Sequence, residues 1–221
     1  MLPFVHFTTH GRLTQGVQAF TIINMFYVVG LGNPGEEYAH TRHNTGRLML
    51  EVVRKVAKAS PFEADKKLRA LVTEGKIGKE KVMFIEPETF MNKSGASVVP
   101  VITSEKKAAQ LIVVHDDLDI GIGTMRVSFN RGAGGHKGVE SIIRAIKTEK
   151  FIRVRVGISA VGKQGVKKPV GAEVEEHILG EFSKKEDMAL QKVSKDVAAA
   201  IELIIKDGPV AAMNVFNQVK H

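Results

Sequence analysis

Apolar positions switch between two spacings along the chain, and the switches divide it into strands and helices. Phe26 to Gly30 is a β-branched and aromatic run ending in glycine, which predicts a buried strand. From Asn44 to Ala59 the spacing is helical: Asn44 or Thr45 can cap, and Leu48, Val52, Val53 and Val56 fall on one face. Leu71 to Ile77 and Lys81 to Ile85 predict strands joined by a turn at Gly78. Leu111 to Val114 is a further apolar run, expected to stop at the acids that follow, and Met125 to Phe129 alternates as a strand does. Val139, Ile142, Ile143 and Ile146 have the spacing of a helix packed on one side. Phe151 to Ile158 alternates apolar residues with Arg153 and Arg155, predicting a strand with one basic face, and Gly162 to Gly171 reads as a loop. Ser183 and Glu186 form a capping box for a long helix ending before Gly208, after which Pro209 starts a short one. Strands alternating with helices predict an α/β fold. The expected architecture is a single domain with a twisted mixed, mostly parallel sheet flanked by helices.

Composition narrows this picture. The 221 residues suffice for one domain with a full core, and a 43% apolar share is that of a globular chain rather than a disordered one. No apolar run reaches the roughly 18 residues of a membrane-spanning helix. Cysteine is absent, which removes disulfides, thiolate zinc sites and a cysteine nucleophile together, and fits a reducing compartment. The net charge of +8 is local: Thr124 to Gly171 holds eleven Lys and Arg against Glu140 and Glu149. Either this is a solvated basic face, or it is a surface for a polyanion, where concentrated charge gains most from counterion release. Residues 1–24 stand apart, with one arginine and no acid. They are poor in Arg and Ser for an organelle-targeting segment and lack a secretory cleavage pattern. They are read as an N-terminal extension, disordered or not native to a domain spanning residues 25–221.

Four segments carry candidate chemistry. In Val28 to Gly46, Gly30, Gly32 and Gly35 have dinucleotide-site spacing, but Pro34 interrupts the turn and Glu36 and Glu37 would repel a pyrophosphate. The turn is better read as holding Asn33 at the carboxyl edge of the sheet. His43 lies just before a helix start, whose N–H groups would disfavour a proton on it, so it is a candidate neutral base or a surface histidine. In Glu88 to Gly95, Asn92 can hold a carbonyl or a ribose hydroxyl, or simply form a turn. In Leu111 to Gly123, the acids after the strand suit either a divalent cation or a carboxylate that orients a histidine. Asp116, first after the strand, is the one expected to face inward. In Asn130 to Ile142, glycines before a helix let backbone approach a ligand, with His136 and Lys137 at an entrance whose free N–H groups could meet an anion. No G-x-S-x-G elbow occurs, so water is the nucleophile left to a hydrolase.

Taken together, GLGNPGEEY with TRHNTG, then TFMNKSG, HDDLDIGIG, GAGGHKGVESI and FIRVRVGI resemble the bacterial-type peptidyl-tRNA hydrolase family, in the family's order and over the chain from Phe26 onward. The resemblance implies a cytoplasmic esterase that cuts the bond between a peptide and the terminal ribose of tRNA. It implies a monomer with no metal, organic cofactor or membrane partner. It makes His43 the catalytic histidine and Asp116 the acid orienting it. Asn33 and Asn92 become the amides that hold the peptide and ribose end, and Tyr38 and Met91 line the cleft. Arg155 would meet the tRNA 5′ phosphate, supported by Arg131 and Arg126, with His136 and Lys137 at the substrate entrance. Two positions depart from the pattern. Lys137 stands where the family usually has Asn, and Ser128 where a Lys partner to Arg155 is expected. An RNA-binding homologue without catalysis, acting in RNA processing, is the alternative, and a nucleotide-binding oxidoreductase a more distant one.

Overall fold

The computed structural model describes residues 25–218, and the N-terminal extension lies outside them. In chain order the elements are β1 (Met25–Gly30), α1 (Thr45–Val56), β2 (Glu63–Asp65), β3 (Ala70–Ile77), β4 (Glu80–Pro87), α2 (Gly95–Val98), α3 (Glu105–Ala108) and β5 (Leu111–Gly121). They continue with β6 (Met125–Phe129), α4 (Lys137–Ile146), β7 (Ile152–Gly162), β8 (Gly165–Lys167), α5 (Glu173–Leu179), α6 (Lys184–Asp207) and α7 (Pro209–Phe216). The strands form one sheet in the order β2-β3-β4-β1-β5-β7-β6, with β8 paired to β7. Its centre, β4-β1-β5-β7, is parallel, and both edges are antiparallel.

Side chains alternate across a strand, so the sheet has two apolar faces, each with its own helical cover. Val28, Phe84, Ile112, Val114 and Val154 pack with Met49, Leu50 and Val53 of α1 and with the buried stripe of α6. Val29, Ile85 and Val113 pack on the other face with Val98 of α2 and Val139 and Ile142 of α4. Burying a Leu, Val or Ile side chain stabilises by roughly 1.5–3 kcal/mol, so the two layers hold the parallel centre rigid under the site. The helix starts follow from the sequence. The predicted capping box forms, with Ser183 and Glu186 each bonding the other's backbone N–H. Pro209 opens α7 at a position that needs no N–H. Gly46 is required where α1 meets the sheet, because a Cβ there would lie 2.4 Å from Leu31 N and Val114 O. Among the described residues no helix is long and apolar enough to cross a membrane.

Several sequence expectations are corrected. The acids do not stop the third apolar strand: β5 runs through them to Gly121, pairing Asp116 with Val156 and Asp117 with Gly157 of β7. Strand β7 has the expected basic face, lining one pocket, but Arg153 on it is buried and Arg155 half-buried. Part of the Gly162–Gly171 loop pairs as the β7–β8 hairpin. Asn44 precedes α1 but makes no side-chain cap there. The short strand β2 and the short helices α2, α3 and α5 gave too little periodicity to be read.

Candidate active site

The carboxyl ends of the parallel strands, with the loops after β1 and β4 and the turn before α4, enclose a cleft of about 820 Å³. Asn33, Tyr38, His43, Met91, Asn92, Asp116, His136 and Lys137 all line it. These residues come from four separated segments, and the parallel topology brings them together as it does ligand sites in open α/β sheets. Arg131 and Arg155 line instead an adjoining pocket of about 550 Å³. Asp117, Ala133 and Gly134 border both spaces.

Asp116 sits at the centre of the cleft. It is 3% exposed, and its two oxygens are taken by two imidazoles: His43 Nδ1 lies 3.0 Å from Oδ2 and His136 Nε2 2.9 Å from Oδ1. The tautomer of His136 follows from its other nitrogen. His136 is the N-cap of α4, and its Nδ1 accepts from the backbone N–H groups of Gly138 and Val139. Nδ1 therefore carries no proton, and Nε2–H donates to Asp116. The free helix N–H groups expected to meet an anion are thus partly satisfied by the protein itself. His43 Nδ1 faces the other carboxylate oxygen and donates to it, leaving Nε2 without a hydrogen-bond partner among the described residues.

Burial by itself would push the His43 pKa down. The charge and hydrogen bond of Asp116 outweigh it, Lys137 opposes them, and the net direction is upward. This reverses the direction expected from the helix start. For Asp116, burial works against ionisation, but the two histidines hold its carboxyl far below the ordinary carboxylate range. His115, the preceding residue, donates Nδ1–H to the Asp116 carbonyl at 2.7 Å and packs edge-on to His136 with ring centroids 4.6 Å apart. Burial, then the neighbouring His136, drives its pKa well down. One histidine atom, one carboxylate atom and a second histidine atom lie within 4.8 Å of one another, a set able to hold a metal ion. The hydrogen bonds just described account for the same atoms as a hydrogen-bonded cluster.

The two amides are placed differently. Asn44, read as a cap, instead grips the Asn33 backbone, accepting from its N–H at 2.8 Å and donating to its C=O at 2.9 Å. Asn33 Oδ1 accepts from Met91 N–H at 2.8 Å, so its Nδ2 donors are left for the cleft. Asn92 is exposed in the 3-10 turn Met91–Lys93. The GLGNPG turn runs into a 3-10 turn, Glu36–Tyr38, rather than a helix, so no dipole faces a pyrophosphate there. Beyond Tyr38 and Met91 the cleft has an apolar wall of Phe90, Leu118 and Val174, Ile178 and Leu179 at α5, with Lys93, Asp119, Lys168 and Glu175 also on its lining. The α5 wall was not legible in the sequence.

The second pocket gathers Arg126, Arg131, Arg153 and Arg155 around a single acid, Asp117. Arg155 Nε bonds Asp117 at 2.7 Å. Arg126 sits beside Arg155 across β6 and β7, and Ser128 beside Arg153. Arg153 is 4% exposed and has no hydrogen bond or ion pair among the described residues. Burial, then the like charge of Arg155, pushes its pKa down, against the attraction of Asp117 and Glu149. The Ser128 hydroxyl is buried and also unpartnered among the described residues. Sequence reading placed Arg153 on the basic face of a strand and did not show that it is buried; Arg155, two residues on, was the local signal of a basic cluster.

A model of the family described as peptidyl-tRNA hydrolase matches residues 27–221. A peptidyl-tRNA hydrolase of Alkaliphilus oremlandii is 36% identical over 195 residues, which is 87% of this chain and all of the relative. One of Clostridium botulinum is 39% identical over 198 residues, covering 89% of this chain and 98% of the relative. The crystal structure of peptidyl-tRNA hydrolase from Acinetobacter baumannii superposes with a TM-score of 0.77 at 31% identity, covering 87% of this chain and 94% of that one. Similarity of that extent takes in every strand of the sheet and each segment that supplies the cleft: this chain belongs to the peptidyl-tRNA hydrolase family.

Proposed function

We propose that the chain hydrolyses the ester joining a peptide to the terminal ribose of tRNA, with His43 as general base for a water nucleophile. The observation that carries the reading is the His43–Asp116 pair at 3.0 Å, with the second imidazole nitrogen left for the cleft. Asp116 holds Nδ1–H and so keeps the lone pair on Nε2. A water there loses its proton to His43 as its oxygen bonds to the ester carbonyl carbon. Asn33 Nδ2 and Asn92 hold the peptide and ribose end of the ester, and the tetrahedral oxyanion is met by the Lys137 ammonium, which can donate as the usual Asn would but cannot accept. The carbon–oxygen bond to the ribose then breaks, and His43 returns its proton to the departing oxygen. No metal or organic cofactor is required by these steps. Tyr38, Met91 and the apolar wall suit a peptide of varied side chains.

The adjoining pocket suits a phosphate of the acceptor stem. A mostly buried arginine whose carboxylate neighbours offset only part of its burial gains from a further anion. Arg153 offers that charge where Ser128 lacks one, with Arg126, Arg131 and Arg155 around it. Contacts to phosphate carry little sequence information, which suits an enzyme acting on many tRNAs. A monomer acting in the cytoplasm fits this reading. The RNA-binding alternative is not favoured, since the matched relatives carry the name of a hydrolase.

Release of peptide from N-acylated aminoacyl-tRNA tests the proposal. A positioned base supplies about 10²–10⁴-fold, so His43→Ala should lose at least two orders of magnitude in kcat while binding tRNA normally. Normal turnover by that variant would refute the assignment.

A further inference from the structure

Arg47 belongs to none of the motifs above, yet it touches both segments that carry the cleft amides. Its backbone N–H donates to Leu31 O at 3.2 Å. Its aliphatic stem lies over Gly32 so closely that a Cβ there would come within 2.6 Å of the arginine Cδ. Its guanidinium reaches the other way, donating to the Pro87 carbonyl at 3.3 Å and to Glu88 Oε1 at 2.7 Å, with Glu86 Oε2 at 3.3 Å. Gly32 immediately precedes Asn33, and Glu88 lies four residues before Asn92. Beyond the parallel pairing of β1 with β4, the two segments share the bond from Met91 N–H to Asn33 Oδ1. A lone neutral hydrogen bond between loop segments is weak, whereas charge-assisted bonds to a planar guanidinium are stronger and fix direction.

The surroundings support a brace rather than an accidental surface pair. The Arg47 side chain is 16% exposed, and the Glu86 carboxylate beneath it is 9% exposed. A carboxylate so placed needs a partner, and Arg47 is the cation that reaches it. Strand β4 is rigid up to Pro87 and α1 is rigid from Thr45, so Arg47 anchors the ends of two stiff elements from which short loops project into the cleft.

We propose that Arg47 is a positioning residue that sets the spacing of the Asn33 and Asn92 amides, and through them the affinity for the ester end of the substrate. This rests on the reading of the cleft given above. Holding substrate and transition state alike affects KM and leaves kcat in place. A merely structural role would lower the active fraction, and so kcat, with KM unchanged.

Peptide release from N-acetylated aminoacyl-tRNA, with kcat and KM measured separately, tests this on Arg47→Met, Arg47→Lys and Glu88→Gln, with His43→Ala alongside. Loss of a charge-assisted clamp predicts a KM rise of about tenfold for Arg47→Met, with kcat within about threefold. Arg47→Lys, keeping stem and charge, should recover most of the loss, and Glu88→Gln should show a smaller KM rise. Glu88 is exposed, so its variant keeps the test open should Arg47→Met fail to fold. Unchanged KM in Arg47→Met and Glu88→Gln, or a fall in kcat alone, would overturn the positioning role while an inactive His43→Ala left the functional reading intact. An active His43→Ala would overturn that reading itself.

Discussion

Asp116→Asn isolates the least forgiving feature of the site. Asp116 accepts from two imidazoles, one on each oxygen, at 3.0 and 2.9 Å, inside a shell that leaves it 3% exposed. Asparagine offers one acceptor and one donor. His136 cannot adapt, because its Nδ1 is committed to the N–H groups of Gly138 and Val139 and its Nε2 must donate. The asparagine oxygen therefore turns to His136, and its NH₂ faces His43 Nδ1. His43 must present a lone pair there, which moves its proton to Nε2 and puts a donor where the attacking water needs an acceptor. In serine hydrolase triads the same change of tautomer lowers kcat by about 10⁴, or about 5.5 kcal/mol of barrier. The same order is expected here, with KM and fold little changed. The variant also loses the charge that raises the His43 pKa. The acid limb of the wild-type profile should lie above the ordinary histidine value, and that of any residual activity below the wild-type limb. The assay is pH-dependent peptide release in single turnover, with circular dichroism to monitor folding. Retention of more than a tenth of the wild-type rate, or an acid limb in the same place, would refute the two-donor argument.

Glu86 yields a prediction on stability. Burial, offset in part by Arg47 and reinforced by Glu51 and Glu88, raises its carboxyl from 4.5 to about 7. A raised carboxylate pKa contributes stability that is present below about 4.5 and lost as pH rises through about 7. At pH 8 the loss is about 3 kcal/mol, from 1.36 kcal/mol per unit, so Glu86→Gln should melt several degrees higher than wild type at pH 8 and near it at pH 5. Equal differences at the two pH values would count against the shift. Arg153→Met should separate stability from function. Asp117 and Glu149 offset only part of the cost of burying this charge, so removing it should raise the melting temperature, while KM for tRNA substrate rises. The slope of log KM against log salt should fall by about 0.7–0.9, one phosphate contact. A lower melting temperature with an unchanged slope would remove Arg153 from the phosphate pocket.

The core was legible because apolar periodicity is a local property: Phe26 to Gly30 and the α4 stripe stand where their spacing put them, whereas on α1 Met49 and Leu50 join Val53 in the core and Val56 is exposed. Local signals also sufficed for the Ser183 box and Pro209, whose partners are within four residues. Distance along the chain defeated the rest. The acids of β5 read as a strand end, since no local pattern shows that β7 continues beside them and supplies their backbone partners. Arg153 alternated like a surface residue, and only the packing of β6 and the turn before α4 buries it. Asn44 looked like a cap because caps are local, while its true contact is eleven residues away in a loop after β1.

The motifs singled out His43, Asp116, Asn33 and Asn92, which all line one cleft, because each sits in a segment whose residue types are distinctive. The sequence by itself determined the family, the α/β class and the polar groups that the four motifs bring to the cleft. The tertiary structure alone decided protonation and orientation. A hydrogen-bonding direction, such as the tautomer that His136 imposes through Asp116 on His43, depends on where atoms 73 residues apart in the chain come to lie.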